Sequence, residues 1–273
     1  MIDNTIGFIG AGNMASAMIG GLVPHTIDPG KLFVFDPNQD NCQQLAKQYA
    51  VNICASNEEL IAHCDVVIIA TKPQVMQAVL SPLSAVAKQH KPMIVSIAAG
   101  IPCALIQQWL DGEYAIVRVM PNTPALVNAG ASGLYANETV STAQRELAQT
   151  LLQAIGSAAW VNNEADIDAV TALSGSGPAY FMLFVQALIQ AGTQAGLDEK
   201  VAKQLAIDTC AGAAKLMHSS EQSIEQLIKN VTSPGGTTEQ ALFSFEHNAL
   251  TTVVSDAFTA ARQRSEELAK ELS

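Results

Sequence analysis

Short apolar runs rich in β-branched residues alternate with helical patterns along the first 160 residues of the chain. Each run is followed by turn residues or by the start of a helix, which is typical of a parallel sheet covered on both faces. The predicted strands are Ile6–Ile9, Leu32–Phe35, Val66–Ala70, Ile94–Ile97 and Ala115–Val119. The pattern therefore predicts an α/β domain in this part of the chain.

Helical patterns replace the strands after Asn162. The start and stop signals are Pro178 in a first turn, Gly196 as a terminator, Asp198 as a cap, and the capping-box pair Ser223 and Gln226. The long helices are expected to end near Ala195, Met217 and Leu268, the last of them beginning near Leu250. The second part of the chain is therefore predicted to be all-helical.

The run from Ala169 to Leu197 contains no charged residue, and it is long enough for a membrane span. It also carries several serine and glutamine side chains and Pro178, which fit a helix buried in a core or in a subunit interface better. The sequence predicts no membrane span.

Composition narrows the class of protein further. Hydrophobic residues make up 49% of the 273 and charged residues 14%, so a packed core is expected. The net charge of −11 argues against nucleic acid as a partner, because phosphate binding requires clustered lysine and arginine. The odd number of cysteines, without a C-x-x-C pair, favours buried thiols in a reducing cytoplasm: Cys42, Cys54, Cys64, Cys103 and Cys210.

A glycine motif lies where the first predicted strand turns into a helix. Its sequence, Gly10-Ala-Gly12-Asn-Met-Ala15, is G-x-G-x-x-A. Gly10 permits a tight turn and Gly12 a close approach of the backbone to a pyrophosphate, which would lie on the helix N-terminus. Asp36 ends the second strand, 24 positions after Gly12, where an acid usually accepts hydrogen bonds from ribose hydroxyls. The four residues after Asp36 include no arginine to meet a 2′-phosphate, so the local chemistry leans to NADH.

A second motif runs from Lys229 to Glu239 and contains Ser233-Pro-Gly-Gly236 before a further helical segment. A Pro-Gly-Gly turn feeding a helix start presents consecutive backbone N–H groups, which suit a small carboxylate. A structural loop with helix caps explains the same residues equally well.

Nothing in the chain predicts the usual acid or base of a carbonyl-reducing dehydrogenase. Loops or helix ends hold all five histidines, which favours surface or capping roles: His25, His63, His90, His218 and His247. The K-x-x-x-N pattern of hydroxyacid dehydrogenases does not occur. A reaction other than simple carbonyl reduction is therefore favoured, although another Rossmann reductase and a non-catalytic nucleotide-sensing protein stay open as alternatives.

The chain resembles the pyrroline-5-carboxylate reductases over essentially its whole length. Six blocks carry the resemblance: Gly7-Phe-Ile-Gly-Ala-Gly-Asn-Met, Lys72-Pro73, Ser96-Ile-Ala-Ala-Gly, Met120-Pro-Asn-Thr-Pro-Ala-Leu-Val-Asn-Ala-Gly, Ser174-Gly-Ser-Gly-Pro-Ala-Tyr and Ser233-Pro-Gly-Gly-Thr-Thr. The resemblance implies a Rossmann dinucleotide-binding domain over 1–161 and a helical dimerisation and substrate-binding domain over 162–273. It also implies NAD(P)H-dependent reduction of the cyclic imine 1-pyrroline-5-carboxylate to L-proline, by a homodimer that can assemble further.

The resemblance also assigns residues to the two ligands. Thr238 would hydrogen-bond the substrate nitrogen, and the remaining substrate-binding residues would be Glu164, Asn230, Ser233, Gly235, Gly236 and Thr237. The cofactor-binding residues would be Ile9, Gly10, Ala11, Gly12, Asn13, Met14, Asp36, Asn57, Ala70, Lys72 and Ala98. Many relatives have a small hydroxyl residue where Asp36 stands, so this departure favours NADH without excluding NADPH.

Overall fold

A computed structural model describes residues 2–24 and 26–271 of the chain. Its centre is one eight-stranded sheet with the order β3-β2-β1-β4-β5-β6-β7-β8. The strands are β1 (Ile6–Ile9), β2 (Leu32–Phe35), β3 (Asn52–Ile53), β4 (Val66–Ile69), β5 (Met93–Ser96), β6 (Ile116–Met120), β7 (Gly130–Ala136) and β8 (Gly156–Trp160). All neighbouring strands are parallel except β6 and β7. The predicted α/β fold class is confirmed.

Helices and loops connect the strands, and helices form most of the described chain after β8. Their bounds are α1 (Asn13–Leu22), α2 (Gln39–Tyr49), α3 (Asn57–His63), α4 (Met76–Leu80), α5 (Ser84–His90), α6 (Cys103–Trp109), α7 (Thr142–Gln153), α8 (Asp166–Val170), α9 (Gly177–Gln194), α10 (Glu199–Ser219), α11 (Ile224–Asn230), α12 (Thr237–His247) and α13 (Leu250–Glu271). Short 3-10 helices and one π-helix over Thr171–Gly175 lie between these elements.

The side chains of β4 alternate between the two faces of the sheet, which explains why its sequence is apolar throughout. Val66 and Ile68 belong to one buried cluster, while Val67 and Ile69 belong to a second cluster that includes α3 and α6 side chains. Successive side chains of a strand point to opposite faces, so both faces of the sheet are covered. This arrangement is the predicted doubly covered sheet.

The predicted caps are largely as observed in the helical part. Asp198 accepts hydrogen bonds from Lys200 N and Val201 N, and Gly196 ends α9 with a φ of +98°. Ser223 accepts from Gln226 N, but the Gln226 side chain donates to Asn230 instead of returning to Ser223. Only one half of that predicted capping box is therefore present.

Three strands were absent from the sequence prediction. β3 has only two residues, and β7 and β8 are rich in glycine, alanine and serine, which have little intrinsic preference for strands. Their sequences are GASGLYA and GSAAW. Pairing of β7 with β6 and of β8 with β7 decides their structure, and the antiparallel β6–β7 pair corrects the expectation of a wholly parallel sheet.

Contacts divide the chain into two compact units. The first, which we call the nucleotide unit, contains residues 1–176 and 261–273, and the second, the helical unit, contains residues 177–260. The predicted boundary after residue 161 lies 15 residues earlier than the division after residue 176. The end of α13 also belongs to the nucleotide unit by contacts, which no sequence pattern had indicated.

The helical unit has almost no core of its own. Within residues 177–260, all of which the structure describes, the only buried residues are Gly177, Ala202 and Ala206. Large apolar side chains are exposed instead, among them Phe181, Met182, Leu183, Phe184 and Phe243. By length and composition alone, the helical stretch 166–194 could cross a membrane. An exposed apolar surface of this extent is typical of a site of interaction with another protein or with a membrane.

Candidate active site

The carboxyl ends of four parallel strands lie in register along one edge of the sheet. Ile9 pairs with Phe35 on one side and with Ile69 on the other, and Ile69 pairs with Ser96. The strand order changes direction between β1 and β4, because the chain first moves outward to β3 and then returns past β1. Ligands of open α/β sheets bind outside the carboxyl ends at such a switch point.

The glycine motif forms a tight turn at that switch point. Gly10 has a φ of +103°, and a Cβ atom there would lie 2.8 Å from the Ala70 carbonyl oxygen, so only glycine fits. Gly12 has open space around the position of a Cβ atom. No side chain caps the N-terminus of α1, whose Gly12 N-cap precedes Asn13 and Met14. The turn therefore leaves room and unpaired N–H groups for an anionic ligand.

Asp36 lies at the end of β2 and faces the glycine turn. Its Oδ2 accepts a hydrogen bond from Ala11 N at 2.8 Å, and its Oδ1 accepts one from Asn38 N at 2.8 Å. The carboxylate thus holds the turn as well as presenting negative charge at the edge. A ribose hydroxyl at this position would share oxygens that already accept backbone N–H groups.

Other predicted cofactor residues lie on the same edge. Ala70 follows β4, and its N–H donates to Ile9 O at 2.8 Å, while Ala98 is buried just after β5. Lys72 is exposed, and Asn57 begins α3. The sequence reasoning missed Thr71: its Oγ1 and the Asn57 Oδ1 are buried without a hydrogen-bond partner in the described chain. Unpartnered polar atoms at this edge suit a polar ligand such as the ribose of a dinucleotide.

The Ser233–Thr238 segment belongs to the helical unit and begins α12 there. Gly235 has a φ of +70°, and the N–H groups of Gly235 and Gly236 donate to Glu239 Oε2 at 2.8 Å and Ser233 O at 2.9 Å. No side chain caps α12. The N–H groups of the two glycines thus already have acceptors within the chain, whereas those of Thr237, Thr238 and Glu239 have no intrahelical acceptor.

Asn230 is the last residue of α11 and is held by two side chains. Its Nδ2 donates to Gln222 Oε1 at 2.8 Å, and its Oδ1 accepts from Gln226 Nε2 at 2.9 Å. This pair of bonds fixes the plane of the amide, which is a condition for a well-defined contact with a ligand.

Glu164 lies in the nucleotide unit and forms a partly buried ion pair. Its Oε1 accepts from Arg118 Nη1 at 2.9 Å and from Cys103 N at 2.6 Å. Burial raises the pKa of the Cys103 thiol, and the neighbouring Glu164 carboxylate raises it further. The lone arginine within the apolar strand β6 was the signal for this pair, and the sequence reasoning missed it. Glu164 thus has a structural role in joining β6 to the start of α6.

The described residues contain neither a metal cluster nor a placed histidine base. No group of three metal-ligating side chains was found among them. His63, His90, His218 and His247 lie in the last turns of α3, α5, α10 and α12, and His25 lies outside the described residues. The fold and the glycine turn at the edge of the sheet together define a dinucleotide-binding protein.

Two family models match the chain. Residues 164–268 match pyrroline-5-carboxylate reductase dimerisation, and residues 5–100 match a family described as NADP oxidoreductase, coenzyme F420-dependent. The two matches cover the helical part and the glycine-turn part of the sheet respectively.

Three relatives that are at least 32% identical over nearly their full length carry one activity in their names. A pyrroline-5-carboxylate reductase of Pseudomonas aeruginosa is 49% identical over 98% of this chain and 97% of its own. The structure of the Coxiella burnetii reductase has a TM-score of 0.94 at 40% identity, covering 98% and 99% of the two chains. The Plasmodium falciparum reductase, solved with NADP bound, has a TM-score of 0.86 at 32% identity, again covering 98% and 99%. The chain belongs to the pyrroline-5-carboxylate reductase family, which confirms the family predicted from sequence.

The glycine turn yields a prediction about cofactor binding. The variant Gly12→Val should still fold, with a small loss of Tm at most, because no atom lies within 4 Å of the position of its Cβ and Gly12 is only the N-cap of α1. Its side chain would occupy the space of the pyrophosphate, so affinity for NAD(P)H should fall by about a hundredfold or more. Titration of cofactor fluorescence measures the affinity. Unchanged affinity in a folded variant would mean that the phosphates bind elsewhere.

Proposed function

We propose that this protein reduces 1-pyrroline-5-carboxylate to L-proline with NAD(P)H, the last step of proline biosynthesis. Two observations together support this most strongly. The sheet has a glycine turn at its switch point that suits a dinucleotide, and a pyrroline-5-carboxylate reductase is 49% identical over 98% of the chain. The enzyme is an oxidoreductase that acts on a CH–NH bond.

Substrate binding is proposed for the uncapped start of α12. The N–H groups of Thr237 and Thr238 would bind the substrate carboxylate, and the positive end of the helix favours the negative charge. The Thr238 hydroxyl would hydrogen-bond the ring nitrogen. Ser233 and Gly235 shape the turn, and the oriented amide of Asn230 would lie near the nicotinamide.

The chemistry explains why no catalytic acid is required. The nicotinamide supplies a hydride when NAD(P)H is bound. A cyclic imine can arrive with its nitrogen protonated, so the carbon–nitrogen double bond accepts the hydride and the nitrogen becomes the amine of proline. The protein's own contribution is to hold the ring carbon in line and to orient the nitrogen through Thr238. This division of labour requires no histidine base, and the four described histidines lie in the last turns of helices α3, α5, α10 and α12.

A cofactor oxidation assay separates this function from its rivals. NADH or NADPH should be oxidised when 1-pyrroline-5-carboxylate is added, with one proline formed for each cofactor consumed. A 3-hydroxyacid tested with NAD⁺ should give no turnover. Turnover with the hydroxyacid alone would favour a hydroxyacid dehydrogenase, and cofactor binding without any turnover would favour a nucleotide-sensing protein.

Asp36 leads to a prediction about cofactor preference. We propose that NADH is preferred, since the carboxylate at the end of β2 would repel a 2′-phosphate. Asp36→Ser should raise the ratio of kcat/KM for NADPH over NADH by about tenfold or more. Asp36→Asn removes the charge but keeps one of the two oxygens that accept from Ala11 N and Asn38 N, so it should raise the same ratio. An unchanged ratio in both variants would show that Asp36 does not face the adenosine ribose.

Thr238 leads to a prediction about catalysis. Thr238→Ala should keep the fold and cofactor affinity and lose about a hundredfold in kcat/KM, the ordinary cost of one positioned donor or acceptor at a reacting atom. Thr238→Ser, which keeps the hydroxyl, should recover most of the loss. Wild-type turnover by Thr238→Ala would remove this residue from the mechanism.

A homodimer is proposed from the uncovered surface of the helical unit. Phe184 is 44% exposed and contacts Phe245, with 5.9 Å between ring centroids. The dimerisation model covers these helices, and a second copy would supply the core that they lack. Larger assemblies of dimers are compatible with this proposal. We also propose that the active site combines the nucleotide unit of one chain with the Ser233–Thr238 turn of another.

The shared site leads to a prediction about assembly. Phe184→Asp should abolish dimers and activity together, since a buried unpaired charge is too costly to keep. Gln43→Asp, on the exposed face of α2, is the control and should leave both unchanged. Sedimentation measures the assembly. An active Phe184→Asp monomer would contradict the proposal.

Mixing of variants tests the sharing of sites directly. Chains with Thr238→Ala and chains with Gly12→Val are each expected to be inactive, but their hybrids would contain one site with both halves intact. Partial recovery of activity after subunit exchange supports a shared site. No recovery despite proven exchange would place each site within one chain.

Two further assignments remain proposals. We keep the functional boundary between residues 1–161 and 162–273, because β8 ends at Trp160 and the dimerisation match begins at residue 164. A cytoplasmic location is proposed from the five free cysteines, four of them buried, and from the supply of NAD(P)H there.

A further inference from the structure

The last turns of α13 differ from the rest of that helix in their surroundings. Residues 250–257 are all exposed, whereas Ala261, Ser265, Leu268 and Ala269 are at least partly covered. These four positions recur at the spacing of one helix face. Because residues 261–273 belong to the nucleotide unit by contacts, this face packs on that unit.

One buried hydrogen bond anchors the helix end. Ser265 is 3% exposed, and its hydroxyl donates to Asp168 Oδ1 at 2.6 Å, across 97 positions of sequence. The acceptor is a carboxylate in the first turn of α8. Hydrogen bonds to charged groups are stronger than neutral ones, and a buried hydroxyl without a partner is costly.

The anchored helix end covers the loop that follows β5. Gly100 in this loop is buried with a φ of +73°, and a Cβ atom there would lie 3.4 Å from Ala269 N and 3.5 Å from Leu268 Cβ. The far end of the loop is also fixed, since Cys103 N donates to Glu164 at 2.6 Å. The segment 164–168 therefore holds both the end of the loop and the helix that covers its middle.

We propose that the end of α13 is a positioning element of the cofactor site. The hydrogen bond from Ser265 to Asp168 holds the end of α13 against residues 97–102. This contact keeps the loop in the conformation in which Ala98 contacts the cofactor. The proposal rests on the assignment of Ala98 to the cofactor cleft. Its test uses binding of NADH without substrate, so its failure is distinguishable from a failure of the proposed reaction.

The test measures NADH affinity of the full-length dimer by fluorescence titration. Ser265→Ala and Asp168→Ala should each weaken binding by about tenfold, the scale of one hydrogen bond to a charged group. In the steady state, KM for NADH should rise while kcat changes little, because the loop acts on binding. Asp168→Asn keeps an acceptor oxygen and should recover most of the affinity. The double alanine variant should be no worse than either single variant, since both remove the same bond.

Arg264→Ala provides the matched control on the same helix. It removes exposed ion pairs to Glu267 and Glu271 next to Ser265 and should leave NADH affinity unchanged. Hydrogen exchange should be faster across residues 97–102 in Ser265→Ala but not in Arg264→Ala. Unchanged NADH affinity in folded Ser265→Ala and Asp168→Ala would overturn the proposal, even if exchange of the loop were faster. Equal losses of affinity in Arg264→Ala would also overturn it, because they would indicate general weakening of the helix.

Discussion

Backbone hydrogen bonds that continue past the ends of the parallel strands fix the glycine turn on the sheet. Gly10 N donates to Phe35 O at 2.8 Å, and Ala70 N donates to Ile9 O at 2.8 Å. The turn is thus held between its two neighbouring strands, which brings the Gly10 Cα so close to the Ala70 carbonyl that a side chain is excluded. The same bonds place the start of α1 at the switch point of the sheet. The direction of the helix dipole and of its first N–H groups therefore follows from the pairing of the strands.

Burial is distributed unequally between the two units. The nucleotide unit has apolar clusters on both faces of its sheet, while the helical unit leaves most of its large apolar side chains exposed. A helix pair such as α9 and α10 gains its stability mainly by packing an apolar face against a neighbour. The Ser233–Thr238 turn before α12 belongs to this unit, so its rigidity depends on whatever covers those helices. Under the proposed shared site, assembly and catalysis are coupled, because the surface that a second copy would cover belongs to the unit that carries the proposed substrate turn.

Local chemistry explains which features could be predicted from the sequence. β1, β2, β4, β5 and β6 were predicted within about one residue because continuous apolar runs specify strands buried on both faces. Asp198 and Gly196 were recognised because caps and terminators act through their immediate neighbours. The strands β7 and β8 were missed because their composition carries no strand preference. Three side-chain contacts were missed for another reason: their partners are 25 or more positions apart, so no local pattern joins them. These contacts are Arg118–Glu164, Asp36–Ala11 and Ser265–Asp168.

Transfer of isotope from cofactor to product tests the central claim most directly. NADH carrying deuterium at the transferred C4 position would be incubated with 1-pyrroline-5-carboxylate and the enzyme, and the proline formed would be examined by mass spectrometry and NMR. Direct hydride transfer predicts one deuterium per proline, located at the former imine carbon C5. Proline without deuterium at C5, or oxidation of NADH without formation of proline, would contradict the account.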